Sequence, residues 1–254
     1  MTAAARKAAR ALNRDFGEVE NLLVSKKGPA DFVTAADRMA EEILVEELSE
    51  SRPGYGFLLE EGGEIKGTDP SHRFIIDPLD GTSNFMHAIP HFAISIALER
   101  NGELVSGVIY DPSRDEMFRA EKGKGAFLND RRLRVSVRTT METALLATGI
   151  PFMGRPGHAQ FLKELHKVSQ QVAGVRRFGS AALDLAWLAA GRYDGYWERN
   201  LQLWDIAAGI VLVREAGGTV SDITGKKPLD GTSILAGNEV IYESLKAELK
   251  QVAP

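Results

Sequence analysis

The stretch FIIDPLDGTSNF, Phe74 to Phe85, decides how the rest of the chain is read. Phe74–Ile76 form an apolar run that reads as a strand ending at Asp77. Pro78 disfavours helical backbone at the residue before it, so Asp77 stays extended at the strand end. Asp80 follows three positions later, and Gly81 lets the chain turn sharply and a ligand approach the backbone. Thr82, Ser83 and Asn84 then offer hydroxyls and N–H groups at a predicted helix start, a place that favours an anion. Two carboxylates, a tight turn and an anion-friendly helix start suit Mg2+ plus phosphate, because Mg2+ uses a few carboxylates together with phosphate oxygens. On the residues alone this reading stands level with a plainer one, in which the aspartates make Asx hydrogen bonds within a turn.

The hexapeptide PLDGTS recurs at Pro228–Ser233. There Lys227 stands where Asp77 stands in the first copy, and Lys226 precedes it. An ammonium cannot ligate a metal, so the second copy reads as a surface turn and Asp230 as dispensable.

Working outward, Glu60 ends the short apolar run Phe57–Leu59 and could meet Asp77 at one sheet edge. The plainer reading of Glu60-Glu61-Gly62-Gly63 is a solvated loop. Asp205 follows Trp204 and opens a predicted helix, either as an N-cap or as a third carboxylate aimed from the helix start. Thr34 and Asp37 have the spacing of a capping box ahead of a helix over 35–50, with Met39, Ile43, Leu44 and Leu48 as its apolar stripe. Lys26-Lys27-Gly28-Pro29 reads as a loop. His87 and His91 flank Ile89-Pro90, which spoils a helical metal face, and no zinc site is read.

The chain has 254 residues and no cysteine, which rules out disulfides, thiolate zinc sites and a cysteine nucleophile. Its net charge of −4 lacks the basic footprint of a nucleic-acid binder. No signal peptide or membrane span is read, and the expected setting is the cytoplasm. An amphipathic helix opens the chain. Asn101-Gly102 marks a hairpin, and short strands follow, so residues 1–140 read as an α+β half with helices against a largely antiparallel sheet. Strand–helix alternation makes residues 141–254 an α/β half, with helices expected over 158–172, 180–190, 205–216 and 239–250. The two halves are expected to pack as one functional unit.

IIDPLDGTSNF resembles the first signature of the inositol monophosphatase family of Mg2+-dependent, lithium-sensitive phosphatases, and WDIAAGIVLVREAGG (Trp204–Gly218) resembles its second. LLEEGG (Leu58–Gly63) is similar to the family's Gly-Glu-Glu element, with Leu59 in place of the usual Gly. DFVTAAD and GSAALDLAWLAAGRYDGYWE also match in order. The resemblance implies a layered αβαβα sandwich and a homodimer, with two or three Mg2+ ions as cofactors. It implies that Glu60, Asp77 and the Leu79 carbonyl hold one ion, and Asp77, Asp80 and Asp205 a second. Thr82, supported by Asp37, would orient the attacking water, with Glu60 also assisting catalysis. Asp80 and the backbone N–H groups of Gly81 and Thr82 would face the phosphate. Gly179, Ser180, Ala181 and Glu198 would face the alcohol, and Lys26 would lie in a mobile loop over the metals. The expected substrate is a small phosphate monoester, myo-inositol monophosphate or a related sugar or polyol phosphate. Fructose 1,6-bisphosphate, a nucleotide 3′,5′-bisphosphate and histidinol phosphate are the alternatives, with association with transcription machinery as an added role.

Overall fold

The computed structural model describes residues 1–18, 24–28, 31–225 and 233–252, with only the backbone of 24–28 and 31–33. The second PLDGTS copy falls almost wholly outside these residues. In chain order the elements begin α1 (Thr2–Phe16), β1 (Val24–Gly28), β2 (Asp31–Thr34), α2 (Ala35–Ser51), β3 (Gly56–Leu59), β4 (Gly63–Ile65), β5 (His72–Asp80) and α3 (Thr82–Met86). Five strands follow: β6 (Ala93–Arg100), β7 (Glu103–Asp111), β8 (Glu116–Glu121), β9 (Gly125–Leu128) and β10 (Arg131–Arg132). The remainder is β11 (Leu145–Thr148), α4 (His158–Ser169), β12 (Gly174–Arg176), α5 (Ala181–Ala189), β13 (Gly195–Arg199), α6 (Leu203–Glu215), β14 (Thr219–Ser221), β15 (Ser233–Gly237) and α7 (Glu239–Gln251).

An eight-stranded sheet has the order β10-β9-β8-β7-β6-β5-β3-β4, antiparallel throughout except for the parallel β3–β5 pair. A five-stranded sheet has the order β12-β11-β13-β15-β14, in which β11 runs parallel to β12 and β13. Period-two alternation sorts each strand's residues between layers. In the large sheet, Phe74, Ile76, Ile94 and Ile96 pack on α1 and α2. Ile75, Ala93, Ala97, Ile109 and Phe118 face α5 and α6, which fill the space between the sheets. Ala147, Tyr196 and Ala236 of the small sheet close on the same helices. Leu146, Trp197 and Leu235 point the other way, against α4 and α7. The molecule is therefore the expected α-β-α-β-α stack.

Small residues set the spacing of that stack. A Cβ added to Gly107 on β7 would stand 2.5 Å from the Ala208 carbonyl oxygen of α6, so the helix backbone lies directly on the sheet. The Asn101-Gly102 hairpin is present, with both residues at positive φ (52° and 76°), as a type I′ turn requires.

Three local expectations change. Met39 is 45% exposed, and α2 instead buries Ala36, Ala40, Leu44 and Leu48, a face set one residue away from the expected stripe. The Lys26 segment is a strand by its backbone, β1 pairing antiparallel with β2, rather than an open loop. The fourth helix ends at Ser169, short of the expected Val172.

Candidate active site

Strand pairing brings the acids together. Because β3 and β5 are parallel and Leu59 pairs with Ile76, both strands deliver their next residue, Glu60 and Asp77, at the same sheet edge. The Glu60 N–H donates to the Ile76 carbonyl at 3.2 Å, which holds the two chains in register there. Asp77 is 2% exposed and accepts the Leu79 N–H at 2.9 Å across Pro78. A bulge between Asp77 and Asp80 restores pairing at Asp80–Ala93, so the strand continues past the proline with both carboxylates at its end.

Helix N-termini converge on this edge. Asp205 occupies the third position of α6, not its cap: Gln202 is the N-cap, and its N–H donates to the Asp205 carboxylate at 2.7 Å. The neighbouring Trp204 carbonyl accepts Ser95 Oγ at 3.3 Å, and Ser95 pairs with Asp77, so α6 is tied to the strand that carries the first acid. At the start of α5, Ser180 Oγ and the Ala182 N–H donate to Asp80 Oδ2 at 2.6 and 2.7 Å. The capping box at the start of α2 is complete. Thr34 accepts from the Ala36 and Asp37 N–H groups, and its own N–H and Oγ donate to Asp37 Oδ2 at 2.9 and 2.5 Å. Thr82 Oγ donates between Asp37 Oδ1 at 3.1 Å and the Leu79 carbonyl at 3.0 Å. The Thr82 proton is thus committed to the protein and its lone pairs remain available to accept. Gly81 caps α3 at φ 97°, and a Cβ there would meet the His91 carbonyl at 3.0 Å, so glycine is required on both counts.

Glu60, Asp80, Gly81, Thr82, Gly179, Ser180, Ala181, Glu198 and Asp205 line one cleft together with Ile150, Phe152, Arg155 and Arg177. Burial, then the charges of Glu60, Asp80 and Asp205, pushes the Asp77 carboxyl well above the usual range. Burial and Asp80 do the same to Asp205. Asp80 rises to about 6 through burial, against the Ser180 and Ala182 hydrogen bonds that pull it down. Asp37 also rises to about 6, chiefly through burial. Glu198, half-buried at the cleft wall, is pushed to about 7 by loss of solvent and by the Asp80 charge, although the Tyr196 hydroxyl donates to it. Acids that raise one another in this way make a site that a cation would relieve. Among the described residues no three acids or imidazoles are drawn into a closed metal cage. An all-oxygen set of separate carboxylates and a backbone carbonyl nonetheless fits Mg2+, which keeps waters and takes phosphate oxygens as its other ligands.

The family model described as the inositol monophosphatase family matches residues 1–253. The chain belongs to that family. It is 59% identical over 254 residues to the inositol-1-monophosphatase of Caulobacter vibrioides, covering 98% of this chain and 99% of that one. It is 44% identical to the Nus factor SuhB of Pseudomonas aeruginosa, covering 99% and 94%. The crystal structure of the extragenic suppressor protein suhB from Bartonella henselae superposes with a TM-score of 0.97 at 58% identity, covering 99% and 97%. The protein is accordingly an enzyme of the inositol monophosphatase type, a phosphoric monoester hydrolase.

Sequence reading gave no individual role to several residues that the fold places in or behind the cleft. Asn84 Nδ2 donates to the carbonyls of His91 and Phe178 at 2.8 Å each, which ties the first signature to the Gly179–Ala181 turn. Asp184, 1% exposed, sits near enough to Glu198 and Asp80 for their charges, after burial, to raise its carboxyl well above the usual range. Asn84 lies inside the first signature and could have been singled out there. Gly149, Arg177, Asp184 and Tyr196 carry no local pattern that separates them from turn, surface and core residues.

Proposed function

We propose that this enzyme hydrolyses myo-inositol monophosphate or a closely related polyol phosphate, in a Mg2+-dependent and lithium-sensitive reaction, by direct attack of water. The observation that carries the reading is the convergence of Glu60 after β3, Asp77 and Asp80 on β5 and Asp205 on α6: Glu60, Asp80 and Asp205 line a cleft that also presents Gly81, Thr82 and the start of α5, and Asp77 lies buried within reach of their charges. Glu60, Asp77 and the Leu79 carbonyl would hold one ion and Asp77, Asp80 and Asp205 a second. Bound there, the metal would neutralise the acids, polarise the phosphoryl oxygens and lower the pKa of a water. Thr82, its proton held by Asp37 and Leu79, would accept a hydrogen bond from the attacking water and so turn the water's lone pair toward phosphorus. Backbone N–H groups of Gly81 and Thr82 bind the phosphate. Glu198, with the Gly179–Ala181 turn, accepts from the alcohol hydroxyls. Such a site works by positioning and electrostatics, as phosphoryl transfer requires.

The two halves, 1–140 and 141–254, would act as one functional unit in a cytoplasmic homodimer, and Lys26 would belong to a mobile segment over the metals. No helix among the described residues is long and apolar enough to cross a membrane. The test is phosphate release from a panel of monoesters and bisphosphates with and without Mg2+, and with added Li+. Polyol monophosphates should be preferred, and chelation should abolish turnover. Full activity after exhaustive chelation overturns the metal reading, and preference for a bisphosphate overturns the substrate reading. The likeness to a relative named as a Nus factor supports an added role with transcription machinery, testable by co-purification of RNA polymerase with an Asp80→Asn variant.

A further inference from the structure

We infer that Gly149 and Tyr196 are positioning residues that lock the Glu198 carboxylate where it meets the alcohol portion of the substrate, and so set the preference for polyol esters. The inference rests on the alcohol-facing role proposed for Glu198.

Two independent observations fix that carboxylate. The first is a close approach. A Cβ built on Gly149 would lie 1.9 Å from both Cδ and Oε1 of Glu198 and 2.3 Å from Oε2. Every residue except glycine would therefore occupy the space that the carboxyl group now fills. The strand register explains why they meet. Thr148 on β11 pairs with Trp197 on β13 in parallel, so the next residue on each strand, Gly149 and Glu198, emerge side by side at the cleft. Thr148 Oγ donates to the Trp197 carbonyl at 2.7 Å and keeps the two strand ends from separating.

The second is a buried hydrogen bond. Tyr196 and Glu198 are two apart on β13 and share a face. The Tyr196 hydroxyl, on a ring with 0% exposure, donates to Glu198 Oε2 at 2.5 Å. Oε2 is spoken for, whereas Oε1 has no hydrogen bond among the described residues. A carboxylate pressed flat on a glycine and held at one oxygen has one arrangement left, with the other oxygen free to accept from a hydroxyl. Without either support the side chain regains rotamers, and ordering it would be charged to substrate binding.

The experiment measures kcat and KM for myo-inositol 1-phosphate and for p-nitrophenyl phosphate, which has no polyol, in the wild type and in Gly149→Ala, Tyr196→Phe, Glu198→Gln and the double variant Gly149→Ala/Glu198→Gln. Turnover of the aryl ester reports that each variant is folded. Gly149→Ala and Tyr196→Phe should each lower the ratio of kcat/KM for the inositol ester to that for the aryl ester by about ten-fold, the scale of one hydrogen bond to a charged group. The loss should lie mostly in KM, and the double variant should have no lower a ratio than Glu198→Gln alone. If Glu198→Gln lowers the ratio while Gly149→Ala and Tyr196→Phe leave it unchanged, or if the double variant is additive, the positioning role is wrong and the alcohol-facing reading stands. If Glu198→Gln itself leaves the ratio unchanged, the reading beneath falls and takes the inference with it. If Gly149→Ala inactivates toward both esters, Tyr196→Phe decides by the same ratio, since it removes a single oxygen from an unaltered ring.

Discussion

Lowering the pH from 7 to 5 should destabilise the protein through one histidine. His91 is 4% exposed, neither ring nitrogen has a hydrogen-bond partner among the described residues, and its ring packs against Phe178 and Trp187 at 5.1 and 5.3 Å. Burial, reinforced by the Arg114 guanidinium and opposed by Asp111, lowers its pKa from 6.5 to about 4. The folded state thus keeps the imidazole neutral through a range in which the unfolded chain protonates it. At pH 7 both states are largely neutral and there is no penalty. As the pH falls below about 6.5 the unfolded state gains a proton that the folded state refuses, and stability is lost until the pH reaches about 4. The full gap corresponds to about 3 kcal/mol, of which about 2 kcal/mol falls between pH 7 and pH 5. The raised carboxyls of the cleft titrate with the opposite sign, because the folded state there binds protons more readily, so the wild type alone does not isolate the effect. His91→Phe does. It suits the aromatic surroundings and leaves the main-chain carbonyl that Asn84 uses. Urea unfolding of both proteins at pH 7 and pH 5, without metal, should show the wild type losing about 2 kcal/mol more than His91→Phe over that interval. An equal change in the two proteins would refute the argument.

Asp80→Asn should lower kcat by orders of magnitude while stabilising the metal-free protein, since it relieves repulsion among the acids. Asp230→Asn, beside Lys226 and Lys227, should leave kcat near wild type and move stability by less than roughly 0.5 kcal/mol; comparable losses of kcat under saturating Mg2+ would make the second hexapeptide part of the site. Thr34→Val removes the cap of α2 and one hold on Asp37. It should cost about 1 kcal/mol in thermal or urea unfolding and depress kcat more than KM; unchanged kcat would separate Asp37 from the water. Gly107→Ala forces α6 off the large sheet and should cost about 1–3 kcal/mol. It should also raise the Mg2+ concentration for half-maximal activity, because Asp205 rides on that helix; an unchanged Mg2+ requirement would show that the acid does not follow the helix.

Local chemistry explains what could be read from the chain. Asp77, Pro78, Asp80 and Gly81 lie within five positions of each other, and Thr34 and Asp37 carry their capping box in plain spacing, so short-range geometry suffices for them. Asp205 was recognisable as an acid at a helix start, but its exact place was not, because Gln202 is a less familiar cap than aspartate. The α2 face went astray at Met39 because alanines, which score weakly as apolar, form the packed side against α1 and the sheet. Gly149 and Tyr196 were invisible for a different reason. Gly149 meets Glu198 only through the β11–β13 register, a contact across about 50 positions that no local pattern encodes, and the Tyr196–Glu198 spacing of two is shared by every pair of neighbours on one face of a strand. The resemblance carried Glu198 but gave no account of what holds it.

The order in which the layers are made differs from the order in which they stack. The large sheet is complete in sequence at Arg132, yet α6, which covers its inner face, ends only at Glu215, another 83 residues on (215 − 132). At ribosomal speed that interval lasts roughly 4 to 17 s. Until α5 is made, ending at Ala189, Ala93, Ala97, Ile109 and Phe118 have no helix to lie against, and α6 completes their cover only after that. Glu60, Asp77 and Asp80 are likewise in place before Asp205 exists to crowd them. In a nascent chain the large sheet can therefore be finished on one side while its inner face is still bare, and Asp205 adds the last charge to a cluster in which Glu60 and Asp80 already oppose the charge on Asp77.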